Sequence, residues 1–198
     1  PLYVQTVRGR SVELAAFTLV FAAVGWTFGS LAYSRLLVGW RESEVIRLGC
    51  WLVVPFLGLA GTAVFLIDWP LSVLFGALTF VGVSVGLVTT AGLTLLQASG
   101  DQAEIGRLSA AHEFVRSLAT MYGVALTGAI LLLVVDVRVG DVDAVRDVIA
   151  GEDIALGSET NDAIRYGVAW GYVAVGTIAM GCLLAGTSLV RRTRRLAP

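Results

Sequence analysis

The sequence contains no lysine, and its 14 basic residues are all arginines. Without lysine, no glycine-rich loop ends in Lys-Ser or Lys-Thr, which excludes the usual phosphate-binding loop of ATPases. The formal net charge is −1. Binding to nucleic acid requires a clustered basic face rather than a balanced total. We therefore expect no nucleic-acid partner.

Cysteine and histidine are also scarce. The only cysteines, Cys50 and Cys182, lie in apolar stretches, and His112 is the only histidine. Buried cysteines usually serve as small core residues, so no disulfide framework is indicated. A single histidine without cysteine or carboxylate partners at ligand spacing is not a metal site. We expect no metal, no cofactor, no catalytic residues and no enzymatic activity.

Charged residues make up 15% of the chain and hydrophobic residues 57%, with a mean hydropathy of +0.82. Soluble domains contain about 45–50% apolar and about 25% charged residues. The excess of apolar side chains must therefore face lipid. The composition predicts an all-α membrane protein, a polytopic bundle of transmembrane helices with membrane lipid as its partner.

Five stretches meet the requirement of about 20 apolar residues for crossing a bilayer. The predicted spans are residues 13–36, 48–67, 71–98, 110–135 and 166–190. We interpret residues 1–12 as the end of a preceding helix and an external loop. Four transmembrane helices with short loops follow in residues 13–135, and residues 136–165 form an acidic external loop. The last transmembrane helix is assigned to residues 166–190, and a basic cytoplasmic tail to residues 191–198. Part of the acidic loop is expected to form a short amphipathic helix, from the spacing of Val142, Val145, Val148 and Ile149.

The distribution of arginine predicts the orientation, because cytoplasmic flanks are enriched in basic residues. The tail carries Arg191, Arg192, Arg194 and Arg195, which places the C-terminus in the cytoplasm. Segment 136–165, with eight acidic residues against three arginines, then lies outside. We expect a multi-pass protein of the plasma (inner) membrane of a bacterium.

Small residues recur every four positions in the spans and predict close helix packing. The proposed packing seams are Gly25 and Gly29; Gly82, Gly86, Thr90 and Thr94; Ala119, Gly123 and Thr127; and Gly167 and Gly171.

The most distinctive feature is the group His112, Glu113 and Arg116 near the start of the fourth predicted span. Ionisable groups inside a membrane usually face the bundle interior, pair with each other or line a water-filled path. The spacing allows all three side chains to share one side of a helix. A Glu113–Arg116 pair that weakens on protonation would bias a conformational equilibrium. The alternative is that these residues lie about one turn inside the membrane and extend to the cytoplasmic interface.

Several segments together resemble the drug:proton antiporters of the major facilitator superfamily, in their fourteen-helix branch. They are PLYVQ at residues 1–5, VRGRS at 7–11, GWTFGS at 25–30, GSLAYSR at 29–35 followed by Arg41 and Arg47, and AAHEFVRSLA at 110–119 followed by GVALTG at 123–128. Gly29, Arg35 and Arg41 are similar to the second copy of the cytoplasmic-loop motif of that family. Tyr33 and Ser34 stand where the motif has its acidic residue. Arg116 takes the place of an arginine in the penultimate helix.

The resemblance implies the C-terminal half of a major facilitator fold, from the end of the ninth helix to the fourteenth. It also implies proton-coupled efflux of small drug-like or amphipathic molecules, with the N-terminal half of the transporter missing from this chain. Substrate in such transporters lies between two repeat-related halves. From aromatic content we name Phe17, Phe21, Trp26 and Phe56 as candidates for the substrate path. The alternative is a polytopic subunit or receptor-like protein that transports nothing.

Overall fold

The computed structural model describes residues 1–37, 39–101, 103–140, 142–150 and 157–196, without the side chains of residues 144, 148–150 and 185–196. All regular secondary structure in these residues is α-helical. The helices are α1 (Leu2–Thr6), α2 (Val12–Arg35), α3 (Glu42–Phe65), α4 (Leu71–Ala98), α5 (Ile105–Arg138), α6 (Val142–Ala150) and α7 (Ser158–Leu196).

Five of these helices, α2, α3, α4, α5 and α7, are long and apolar enough to cross a membrane. Many of their large apolar side chains are exposed, as on α5, where Met121 is 71% exposed and Phe114 is 68% exposed. Exposed apolar surface on this scale is unfavourable in water and is satisfied by lipid. The helices therefore indicate a membrane protein, in agreement with the predicted class.

The helices begin earlier than the predicted spans. α3 begins at Glu42 rather than at residue 48, α5 at Ile105 rather than at residue 110, and α7 at Ser158 rather than at residue 166. The apolar run identifies the part of a helix that fits the hydrocarbon core. The helix itself extends further, because polar residues can continue it outside that core. Glu42 and Glu159 lie in first turns, where carboxylates interact favourably with the helix dipole.

Local signals in the sequence explain several helix ends. The hydroxyl of Ser11 accepts a hydrogen bond from the backbone N–H of Leu14 and caps α2, as N-terminal serines commonly do. Gly140 follows α5 with a φ of 74° and donates its N–H to the carbonyl of Asp136 at 3.0 Å. A glycine in the left-handed region is a common helix stop.

α4 lies at the centre of the bundle and packs against both α2 and α3, while α7 packs against α3 and α5. The α2/α4 interface is close enough for backbone contact. A Cβ added at Gly25 would overlap the carbonyl oxygen of Thr79, and one added at Gly82 would overlap that of Ala22. Glycine in each helix thus permits the close approach of the two backbones, as the recurrence of small residues every four positions predicts.

The N-terminal segment, the α3–α4 loop and the α5–α6 region lie at the same end of the bundle. The guanidinium of Arg8 donates hydrogen bonds to the carbonyl of Ile67 and, at 2.9 Å, to that of Trp69. α6 forms where the amphipathic helix was predicted, and its Val145 is buried with Val135. The helices therefore alternate in direction along the chain.

Candidate functional site

α5 contacts the rest of the bundle mainly towards its two ends. Near its C-terminal end, Leu131 and Val135 are buried against α7. Arg116 and His112 lie further back on the same stripe at helical spacing, and both are less exposed than their neighbours. The stripe therefore places Arg116 on the bundle side of α5.

Glu113 and Arg116 form the ion pair that their spacing predicted. Nε and Nη2 of Arg116 both donate to Oε2 of Glu113, at 3.0 and 2.6 Å. The Arg116 side chain is 38% exposed and that of Glu113 is 53% exposed. The pair is thus only partly enclosed within this chain.

The guanidinium of Arg116 reaches across to α2, where its carbon lies 5.3 Å from the centre of the Trp26 ring. A guanidinium at this distance from an aromatic face is stabilised by a cation–π interaction. Trp26 itself is 40% exposed and lies beside Gly86 of α4. Arg116 therefore links α5 to α2, two helices that otherwise touch little.

The contact between Arg116 and Trp26 lies more than two helical turns from the nearer end of each helix. Arg116 is about 16 Å along α5 from Ile105, and Trp26 about 14 Å along α2 from Arg35, at about 1.5 Å per residue. The predicted depth of about one turn counts from residue 110, the start of the predicted span, whereas α5 begins at Ile105; the depth in the membrane stays a prediction. The guanidinium of Arg116 folds onto Trp26 instead of extending along the helix to its end.

Other polar side chains surround this contact. Thr90 of α4 donates to the hydroxyl of Ser30 on α2 at 3.0 Å. His112 turns towards α4, with Cε1 at 4.0 Å from a Cβ added at Gly92. We call the group of side chains formed by Trp26, Ser30, Thr90, His112 and Arg116 the α2/α4/α5 cleft.

A further polar contact joins α4 and α5 nearer the start of α5. Gln97 of α4 donates from Nε2 to the hydroxyl of Ser109 on α5 at 3.0 Å. Sequence reasoning missed Ser30, Gln97 and Ser109, and assigned Thr90 to packing alone. Single polar residues on two helices carry no periodic signal, so only their pairing in space identifies them.

The structure divides the remaining substrate-path candidates between two interfaces of α4. Phe21 stacks on Phe75 with ring centres 5.1 Å apart, and Phe56 stacks on Phe80 at 4.5 Å. Phe17 is 6.3 Å from Phe21. Since Phe75 and Phe80 are separated by about 140° around the helix, these candidates do not form one wall with Trp26.

The motif-like residues bracket the α2–α3 loop. Arg35 is the last residue of α2, and Arg41 precedes α3 as its N-cap. Gly29 is buried, and a Cβ there would overlap the carbonyl oxygen of Val83. In the described residues, Gly29 thus has a packing contact with α4.

The predicted seam on α5 is only partly used. Thr127 lies 3.6 Å from a Cβ added at Gly171 of α7, but a Cβ added at Gly123 meets nothing within 4 Å, and Ala119 is exposed. Both cysteines are free, and no three His, Cys, Asp or Glu side chains of the described segments are grouped as metal ligands would be.

The cleft combines a carboxylate, which can take up a proton, with a guanidinium, which keeps its charge. Glu113 accepts two hydrogen bonds from one guanidinium, so protonation of the carboxylate removes the charge that holds them. Arg116 keeps its charge and its contact with Trp26. No protein-family model, curated protein or solved structure matches the chain.

Proposed function

We propose that the chain is part of a proton-coupled secondary transporter that exports small drug-like or amphipathic molecules, with the α2/α4/α5 cleft forming one wall of the path. The observation that carries the proposal is the Glu113–Arg116 pair, held against Trp26 on the bundle side of a long apolar helix. Ionisable groups at such a place are costly, and they are typically found on substrate, ion or proton pathways.

The chemistry of the pair supports proton coupling. With Glu113 ionised, the pair and the Trp26 contact hold α5 near α2. Protonation of Glu113 leaves the charge of Arg116 uncompensated in a low-dielectric site. A different arrangement of the helices, in which water reaches the Arg116 guanidinium, then becomes favoured. A proton can therefore shift the balance between two arrangements of the bundle.

One side of the cleft is exposed, which supports the proposal that other residues of the transporter form a second wall of the path. Glu113 is half exposed, and the adjoining apolar side chains of α5 are uncovered. In our proposal the N-terminal half of the same transporter covers this side, with the substrate between the halves. The C-terminus lies in the cytoplasm and the protein in the inner membrane of a bacterium.

The proposal is tested in proteoliposomes containing the full-length transporter, with an imposed pH gradient and an amphipathic fluorescent dye. The wild type should move dye only when the gradient is present. Glu113→Gln should abolish the dependence on the gradient, because a neutral amide cannot gain or lose the proton.

Glu104 and Arg107 provide a matched control. They form an ion pair with the same spacing on the same helix, with the Arg107 side chain 77% exposed. Glu104→Gln should transport as the wild type does. Dye flux in the wild type that does not depend on the pH gradient would contradict proton coupling by Glu113. An equal loss of gradient-dependent flux in Glu113→Gln and Glu104→Gln would contradict it too. The absence of any flux would favour a subunit that transports nothing.

A further inference from the structure

An open cavity lies between α3 and α7, away from the α2/α4/α5 cleft. Its volume is about 1000 Å³, and its lining consists of apolar and aromatic residues, the threonines Thr62 and Thr177, and one cation, Arg138. Ligand sites commonly enclose about 300–1,000 Å³. The volume is therefore sufficient for a large apolar ligand.

Glycines on both helices create the cavity. Additional Cβ atoms at Gly58 of α3, and at Gly176 and Gly181 of α7, would meet nothing within 4 Å. Where glycines pack a backbone tightly, as at the α2/α4 interface, the added atom would overlap a neighbour. The missing side chains here leave an open groove instead.

The groove has the length of one leaflet. α3 lines it from Val54 to Phe65, which is about 16 Å at 1.5 Å per residue. This distance is about half of a hydrocarbon core of about 30 Å. An acyl chain that enters at the Phe65 end would be accommodated along its length.

A cation and an aromatic ring mark that end of the groove. The guanidinium carbon of Arg138 lies 3.8 Å from the centre of the Tyr166 ring, and Phe65 meets the same ring edge-on at 5.5 Å. α3 ends at Phe65 and α5 at Arg138, close to the ends of the predicted spans at residues 67 and 135, so we place this level at the membrane interface. Tyrosines and arginines favour that level.

Arg138 is the one charged residue that lines the groove in the described part of the chain. Arg165 also lies near the Tyr166 ring, at 5.1 Å, but it is paired with Asp162 at 3.1 Å. In the described part of the chain, Arg138 has no carboxylate within 4.0 Å, and the groove lining contains no acidic residue. Asp136 lies about 200° around α5 from Arg138.

From the groove and its charge we infer that this chain binds an anionic phospholipid, with an acyl chain between α3 and α7 and the phosphate at Arg138. The apolar length accounts for the acyl chain, and the Arg138 guanidinium at the end of the groove accounts for the preference for a negative headgroup. The inference depends on the membrane location of the helices and not on the proposed transport.

The test uses phosphatidylglycerol and phosphatidylcholine that carry the same photoactivatable acyl chain, incorporated into bilayers with the full chain. Mapped cross-links of phosphatidylglycerol should concentrate on α3 and α7 and exceed those of phosphatidylcholine about fivefold, the factor expected for one arginine near the surface. Soluble glycerol phosphate should not compete.

Two variants and two controls distinguish the contribution of the lipid headgroup from that of the acyl chain. Arg138→Gln should remove the preference for phosphatidylglycerol, while Arg107→Gln at the other end of α5 should keep it. Gly58→Leu should fill the groove and suppress labelling by both lipids, whereas Gly76→Leu on α4, which also meets open space, should not.

Equal labelling by the two lipids, or identical behaviour of Arg138→Gln and Arg107→Gln, would overturn the inference. So would competition by glycerol phosphate, which would indicate a site for a free phosphate group. Cross-links between protein chains without lipid labelling of α3 and α7 would indicate a second copy or another helix in the groove and would equally overturn it.

Discussion

Replacement of Gly82 by alanine should destabilise the α2/α4 interface by a measurable amount. The added Cβ would overlap the carbonyl oxygen of Ala22 and lie 2.9 Å from the backbone nitrogen of Trp26. Carbon–oxygen contacts prefer about 3.3–3.6 Å. Because backbone atoms cannot rotate away, the two helices must separate by about 1 Å.

Overpacking of this kind typically costs about 1–3 kcal/mol. Alanine has a higher helix propensity than glycine by about 1 kcal/mol, which offsets part of the loss. Gly76→Ala on the same helix has the same propensity gain and no clash, since its Cβ meets nothing within 4 Å. We therefore expect Gly82→Ala to be less stable than Gly76→Ala by about 1–3 kcal/mol.

The assay is unfolding in mixed micelles by increasing mole fraction of sodium dodecyl sulfate, followed by circular dichroism. The midpoint for Gly82→Ala should lie below those of the wild type and Gly76→Ala. Coincident midpoints for the two variants would show that α2 and α4 do not approach as closely as described, and the packing argument would be wrong.

Three further outcomes are expected. Arg8→Gln removes the donors to Ile67 and Trp69 and should lower the free energy of unfolding by about 1 kcal/mol, whereas the exposed Arg10→Gln should leave it unchanged; equal effects would contradict the bridging role. A double-mutant cycle of Ser30→Ala and Thr90→Val should give a coupling of about 0.6 kcal/mol, typical of interhelical hydrogen bonds in membranes, and zero coupling would remove that bond from the cleft. A tag after the last residue should be reached by protease only in opened vesicles, and cleavage in sealed right-side-out vesicles would reverse the predicted orientation.

The sequence was sufficient to predict the helical class, the five helices that are long and apolar enough to cross a membrane, and the ion pair of Glu113 and Arg116. These features depend on composition and on local spacing, which a single chain reveals directly. The glycine stripes of α2 and α4 were predicted for the same reason, since glycines every four residues define a face, but their contact with each other was not predicted.

What the sequence could not predict depends on contacts between distant segments. The approach of Arg116 to Trp26 joins helices separated by two others along the chain. Likewise, nothing in the sequence distinguishes Gly58 and Gly176 from other glycines. Their role in forming the groove becomes visible only when α3 and α7 lie side by side. The helix starts were missed because hydropathy reports the membrane-embedded part of a helix and not its polar first turns.

The central claim, that the charge pair lies within the bilayer and not at its surface, is tested most directly by a nitroxide label at Phe114. This residue adjoins Glu113 and is 68% exposed on α5. In a background where Cys50 and Cys182 are replaced by serine, the label should relax readily with oxygen and hardly with a water-soluble nickel complex, whereas a label at Arg107 should respond to nickel. A strong nickel response at both positions would contradict the account.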